Sequence, residues 1–269
     1  MKLNFFFDID GTLVPFGGGV PKSTVEAISR AKALGHRMIL STGRAPHEIL
    51  DAVYDLPLDG GVFSAGANLI ADGKLFFRAE ANEKQRKLFF DVADKYGLLW
   101  LIQGEFKSFC TEKTVQVYNK LSMSANGKLV YLKNLEIVER FPEDEPISKI
   151  YIMSEDGLAL KAREELEGPF HCVNNTTGVP EENAAEVMLQ GASKSTGIKR
   201  MLEHFGDGLE SAVGVGDGEN DLDMIDVCGL GIAMGNSCQV LKDHADYVTD
   251  HIDNDGLAKA IYYAMDNLK

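Results

Sequence analysis

The chain has 269 residues, 45% hydrophobic and 25% charged, and 27 Lys and Arg against 41 Asp and Glu give a formal net charge of −14. That length suits one large or two medium domains with a substantial core, and no apolar run reaches the roughly 18–20 residues of a membrane helix. The acidity is read as solubility and argues against nucleic acid and anionic membranes as partners, while Met1-Lys2-Leu3 enters a strand without a charged-then-apolar leader, which predicts a cytoplasmic protein.

Residues 2–7 are short, apolar and aromatic, ending in Phe5-Phe6-Phe7, and predict a buried strand. Asp8-Ile9-Asp10-Gly11-Thr12 follows at once. Side chains two apart on extended chain point the same way, and the C-terminal end of a strand in an open α/β sheet is where ligands bind. Two carboxylates there repel each other unless a cation or a proton lies between them, so the pair points to a metal, a proton shuttle or both. Asp and Gly are equally ordinary turn residues.

Val25, Ile28, Ala31 and Leu34 recur at helical spacing, which predicts a helix over 21–34 with Gly35 as its stop. A second strand over 36–41 ends in Thr42-Gly43-Arg44, a helix follows over about 46–54, and a third short strand spans 61–64. Strand and helix alternating in this way predict a parallel sheet with right-handed crossovers. A hydroxyl and backbone N–H groups beside a helix start can hold a phosphate, or Thr42 is a plain N-cap. Arg44 would reach a second anionic group or anchor its loop.

The middle of the chain reads differently. Residues 82–96 form an amphipathic helix with Leu88, Phe89, Val92, Ala93 and Tyr96 on one face. Strands over 98–103 and 106–111 are joined by Gly104-Glu105, then come a helix (112–123), a strand (147–153), a helix (158–166) and strands over 170–173 and 185–189. This α+β mixture predicts a separate domain, residues 82–186, inserted into a split core formed by 1–81 and 187–269. Asn174-Asn175-Thr176-Thr177 near its end offers hydrogen bonds suited to a sugar, or is a polar turn.

The alternation then resumes: helix 193–205, strand 211–216, helix 221–227, strand 229–234, helix 239–244, strand 247–249 and helix 256–267. Lys194 opens the first of these helices, where a cation opposes the helix dipole. It is either a phosphate-neutralising point charge or a solvated surface lysine. Gly216-Asp217-Gly218-Glu219-Asn220-Asp221 places Asp217 at the same sheet edge as Asp8, and such an oxygen-rich site suits Mg²⁺. The ligand spacing of a calcium loop is missing. Cys110, Cys172, Cys228 and Cys238 form no C-x-x-C pair or zinc spacing, so they read as incidental thiols, and none of the six histidines is assigned to catalysis.

Taken together, Asp8-Ile9-Asp10-Gly11-Thr12, Ser41-Thr42-Gly43-Arg44, Lys194 and Gly216-Asp217-Gly218-Glu219-Asn220-Asp221 resemble, in order and spacing, the four motifs of the haloacid dehalogenase superfamily. With Leu222-Asp223-Met224 after it, the last motif most resembles the Cof-type IIB sugar-phosphatase branch. The resemblance implies an α/β protein with a Rossmann-like parallel-sheet core and an inserted α+β cap domain. Only residues 15–20 separate the first motif from the first helix, so no cap fits there.

The implied activity is a Mg²⁺-dependent phosphatase acting on small phosphorylated metabolites, sugar phosphates foremost, through an aspartyl-phosphate. Asp8 would be the nucleophile and Asp10 the acid and base. Mg²⁺ would bind the carboxylates of Asp8 and Asp217 and the backbone carbonyl of Asp10. Thr42, Lys194, Asn220 and the backbone of Ile9 and Gly43 would hold the phosphoryl group, with Asp221 orienting Lys194 or the metal's waters. The chain departs from the family at Ser64-Ala65-Gly66-Ala67-Asn68, where Asn-Gly-Ala is usual, and at Ser195, where Gly is usual. A phosphomutase and a non-catalytic phosphometabolite sensor are the alternatives on this fold, and a monomer or weak homo-oligomer is expected.

Overall fold

Three consecutive phenylalanines make the centre of the sheet in the computed structural model, which describes residues 1–124, 134–175 and 179–268. β1 (Asn4–Phe7) is buried along its whole length. α1 (Lys22–Ala33) buries Thr24, Ala27, Ile28 and Ala31. β2 (Arg37–Ser41), α2 (Asp51–Tyr54) and β3 (Gly60–Phe63) follow.

The helix expected over 46–54 is broken. Pro46–Glu48 makes a single 3₁₀ turn, and Leu50 is extended (φ −68°, ψ 143°) before α2 starts. The cause is Glu48, which is buried: its carboxylate accepts the Ala45 N–H at 2.9 Å, the Gln103 amide at 2.9 Å and the Ser108 hydroxyl.

After β3 the chain makes a hairpin that the sequence reading missed, β4 (Asn68–Ala71) and β5 (Lys74–Arg78). Asp72 (φ 50°) and Gly73 (φ 73°) are both left-handed, as a two-residue type I′ turn requires.

α3 (Glu83–Tyr96) begins with a reciprocal cap. Asn82 accepts the Gln85 N–H and Gln85 accepts the Asn82 N–H, each at 3.0 Å, and Gly97 ends the helix at φ 60°. β6 (Leu99–Gln103), β7 (Ser108–Cys110), α4 (Glu112–Ser124), β8 (Leu135–Ile137), β9 (Lys149–Met153), α5 (Ala159–Leu166), β10 (Phe170–Asn174) and β11 (Ala184–Leu189) complete this part. Its sheet runs β10-β11-β9-β6-β7-β8, antiparallel except for the last pair. The side chains of Asn174 and Asn175 are engaged locally, with Arg163 and Glu181 and with the Val179 carbonyl; Thr176 and Thr177 lie outside the described residues.

The chain returns through α6 (Lys194–Phe205), β12 (Ala212–Gly216), α7 (Leu222–Val227), β13 (Leu230–Ala233), α8 (Gln239–His244), β14 (Tyr247–Val248) and α9 (Gly256–Asn267). The main sheet runs β14-β13-β12-β1-β2-β3-β4-β5, parallel from β14 to β3 with β4 reversed. From β1 the strands proceed one way through β2 and β3, and the other way through β12, β13 and β14. The switch between β1 and β12 opens a crevice at their C-terminal ends.

Alternation along β1 serves both faces of this sheet. Phe5 and Phe7 pack with Ile28, Met38, Leu40, Val213, Val215 and Ile261 on the side of α1 and α9. Phe6 packs with Ile39, Val62, Ile198, Met201 and Met224 on the side of α6 and α7.

The chain divides into two compact units. One comprises Met1–Arg44, Ile49–Phe77 and the chain from Ser193; the other comprises Ala45–Glu48 and Arg78–Ala192. Residues 82–186 fall within the second. Among the described residues no helix is long and apolar enough to cross a membrane.

Candidate active site

The first motif sits where β1 ends. The Asp8 N–H donates to the Val215 carbonyl at 3.1 Å, which keeps Asp8 in the frame of β12. The chain then turns back on itself: the N–H groups of Thr12, Leu13 and Val14 converge on the Ile9 carbonyl at 3.4, 3.0 and 2.8 Å. Gly11 is required here twice over. Its φ is +88°, and a Cβ would lie 2.2 Å from Asp217 Oδ2.

Asp217 follows β12 and accepts the Thr12 hydroxyl on Oδ1 at 3.1 Å. Asp221, fully buried, closes the turn: its Oδ2 accepts the N–H groups of Asp217 (3.0 Å) and Gly218 (3.1 Å). Its Oδ1 takes the Lys194 ammonium at 2.5 Å, and Lys194 also reaches Asp8 Oδ1 at 2.7 Å. Lys194 is therefore a buried cation between two carboxylates and not a surface lysine. Its helix start is secured by the Ser193 hydroxyl, which accepts the Thr196 N–H at 3.2 Å, and by Asp223, which accepts the Ser195 N–H at 2.9 Å.

The second motif lies at the end of β2. Thr42 is buried, and its Oγ1 accepts the Arg44 N–H at 3.1 Å. Gly43 is the half-buried link between them. The Arg44 guanidinium grips Asp10 with a two-armed fork, Nε to Oδ2 and Nη2 to Oδ1, both at 2.7 Å. Of the two roles open to Arg44 from sequence, the anion it meets within the protein is thus Asp10.

Electrostatics set this cluster apart. One carboxylate oxygen each from Asp8, Asp217 and Asp221 fall within 4.8 Å of one another. Burial pushes the Asp8 carboxyl above the usual range; Lys194 pulls it back, and Asp221 and Asp10 push it further up. Burial and then the Asp221 charge push Asp217 up to about 7. Burial also works to lower Lys194, but the carboxylates of Asp221 and Asp8 outweigh it and hold the ammonium above its ordinary value. Asp8 Oδ2 and Asp217 Oδ2 accept no hydrogen bond among the described residues, whereas both oxygens of Asp221 are engaged. Hard oxygen donors crowded in a buried, mutually repelling group fit a small divalent cation.

A family model described as haloacid dehalogenase-like hydrolase matches residues 5–261. The chain belongs to the haloacid dehalogenase-like hydrolases. It is 28% identical over 265 residues to a Streptococcus pyogenes serotype M6 protein named putative bifunctional phosphatase/peptidyl-prolyl cis-trans isomerase, covering 98% of this chain but only 53% of that one. It is 27% identical over 254 residues to the Bacillus subtilis 5-amino-6-(5-phospho-D-ribitylamino)uracil phosphatase YcsE, covering 94% of this chain and 92% of that one. Among solved structures it resembles the subclass IIB sugar phosphatase BT4131, with a TM-score of 0.80, 26% identity and 98% of both chains covered. The Cof-type IIB assignment drawn from the motifs is borne out, as is the α/β core around a parallel sheet.

Not every motif residue of this hydrolase joins the cluster. Asn220 is exposed on the 3₁₀ turn Glu219–Asp221, and its side chain makes no hydrogen bond among the described residues. At the departure after β3, Ser64 (φ 49°), Ala65 (φ 51°) and Gly66 (φ 93°) are all left-handed. The Asn68 amide donates to the Ser64 hydroxyl at 3.1 Å and so braces this turn. A Cβ on Gly66 would lie 2.1 Å from the Ser193 carbonyl, so the turn packs directly on the start of α6, beside Lys194.

Three contributors escaped the sequence reading. Thr12 holds Asp217, and Asp223 holds the start of α6. Asn236 donates to the Gly11 carbonyl at 2.8 Å and accepts the Ile252 N–H at 2.9 Å, tying the loop after β13 to the first motif. The only signal for Asn236 was a Gly-Asn pair just past a strand end.

Proposed function

We propose that this chain is a Mg²⁺-dependent phosphatase that hydrolyses small phosphorylated metabolites, sugar phosphates foremost, through an aspartyl-phosphate on Asp8. The observation that carries the reading is the buried contact of Lys194 with Asp8 at 2.7 Å beside Asp217. An anionic nucleophile approaches a phosphate dianion only where cations offset the repulsion. The names of the phosphatase relative YcsE and the sugar phosphatase BT4131 support the same reaction class.

Asp8 Oδ2 forms the bond to phosphorus as the bond to the leaving oxygen breaks, and Asp10 gives its proton to that oxygen. In the second step Asp10 takes a proton from water, the water oxygen bonds to phosphorus, and Asp8 is released. Lys194, the Thr42 hydroxyl, the Asn220 amide and the backbone of Ile9 and Gly43 hold the phosphoryl oxygens. Asp221 keeps Lys194 aimed at Asp8. Mg²⁺, held by the carboxylates of Asp8 and Asp217 and the backbone carbonyl of Asp10, would supply Lewis-acid neutralisation of the transferring group. Residues 82–186 are read as the cap domain whose loops select the leaving group, and the chain as a cytoplasmic monomer or weak homo-oligomer.

A panel of phosphorylated metabolites assayed for inorganic phosphate, with Mg²⁺ and with a chelator, tests the reading. Release from one or more sugar phosphates that stops on chelation is expected. Isomerised phosphosugar without free phosphate, or binding without turnover, would overturn it.

A further inference from the structure

Asp10 lies on the loop after β1 with 39% of its side chain exposed, yet both its oxygens are held by Arg44. Arg44 is itself placed from two sides. Its N–H donates to the Thr42 hydroxyl at 3.1 Å, and its carbonyl accepts the Ser64 N–H at 2.8 Å. The Asp10 loop is held at the next residue, where the Gly11 carbonyl accepts the Asn236 amide. Both ends of the fork are therefore anchored to rigid strand ends. A half-exposed aspartate without such a partner samples several rotamers. A planar two-armed guanidinium admits one orientation of the carboxylate, which an ammonium cannot impose.

From this we infer that Arg44 is a positioning residue for Asp10: the fork fixes the direction in which the carboxyl meets the leaving oxygen. The inference rests on the phosphatase reading of the same site. Each carboxyl oxygen keeps a second lone pair beyond the one facing Arg44. The proton rides there, and it passes to the leaving oxygen as the phosphorus–oxygen bond breaks and the Asp8–phosphorus bond forms. Misdirection of Asp10 slows only esters whose leaving group needs that proton. An alkyl phosphate needs it, whereas p-nitrophenyl phosphate, which expels a stable phenolate, hardly does. A fork that merely braced the Thr42 loop would, when removed, slow both alike.

The test is the steady-state kinetics of the wild type, Arg44→Gln, Arg44→Lys, Asp10→Asn and the Arg44→Gln/Asp10→Asn pair, on p-nitrophenyl phosphate and on an alkyl sugar phosphate turned over by the wild type. Arg44→Gln is expected to lower kcat on the alkyl ester about tenfold or more beyond its effect on the aryl ester, with KM within about threefold. Arg44→Lys should recover part of the loss, and the double variant should fall within about twofold of Asp10→Asn alone, since the two residues act as one unit. Retained aryl-ester turnover shows that the variant is folded. Equal losses on both esters, or a loss that multiplies with Asp10→Asn, would overturn the role of Arg44. Absence of turnover by the wild type on any phosphomonoester, or survival of hydrolysis in Asp8→Asn, would instead overturn the phosphatase reading, and the inference with it.

Discussion

Lys194 explains at the residue scale why Asp8 tolerates burial. A buried carboxylate is costly without a partner, and the ammonium it shares with Asp221 is 3% exposed. Asp8→Asn keeps the shape and leaves Lys194 paired with Asp221, so we expect a folded protein with no phosphate release; circular dichroism beside the phosphate assay checks both halves. Asp217 carries a pH signature. Its carboxyl is raised from 3.8 to about 7 by burial and by Asp221. Between those values the native state holds a proton that the unfolded chain has released, so stability falls as pH rises through that window. In chelator, the melting temperature should drop between roughly pH 4.5 and pH 7.5, and Asp217→Asn should flatten the slope. An unchanged slope in the variant would assign the pH dependence to other groups.

At the scale of elements, the loop after β1 packs closely on the loop after β12. Gly11→Ala would set a methyl 2.2 Å from Asp217 Oδ2 on a backbone at φ +88°. Strain of that kind costs about 1–3 kcal/mol, so a lowered melting temperature together with weaker Mg²⁺ activation is expected. A variant that melts like the wild type and binds Mg²⁺ normally would mean that the loop re-forms freely. Elements whose cause is local were legible in the sequence: the apolar run of β1, the spacing of α1, and the Asn82 and Gly97 boundaries of α3. The Asp72-Gly73 turn was legible too, flanked by apolar runs, and was overlooked. The break before α2 was not, because its cause is Glu48 meeting Gln103 and Ser108, 55 and 60 residues away. The site divides in the same manner. Asp8, Lys194, Asp217 and Asp221 stand in motifs, but the bonds from Arg44 to Asp10, Thr12 to Asp217 and Asn236 to Gly11 span 34, 205 and 225 residues. Only the fold brings those partners together.

For the whole molecule, a net charge of −14 opposes the approach of a phosphate ester. The site's own cations act at short range, while the surface acts over the Debye length, about 30 Å at 0.01 M salt and about 8 Å at 0.15 M. At saturating Mg²⁺, kcat/KM for a dianionic substrate should therefore rise with salt across that range; a fall would show that the local cations govern capture. The sheet order has a consequence for how the protein is made. β1 pairs Asn4 with Ala212 and Phe7 with Val215. A ribosome delivers the N-terminal strand first, so one edge of β1, with its phenylalanines, stays unpaired until more than two hundred further residues have emerged. The nascent chain can assemble the β1–β2–β3 side early, but the edge of β1 that later pairs with β12 must be kept from other chains until then, a task for chaperones or for the fast folding of the intervening unit.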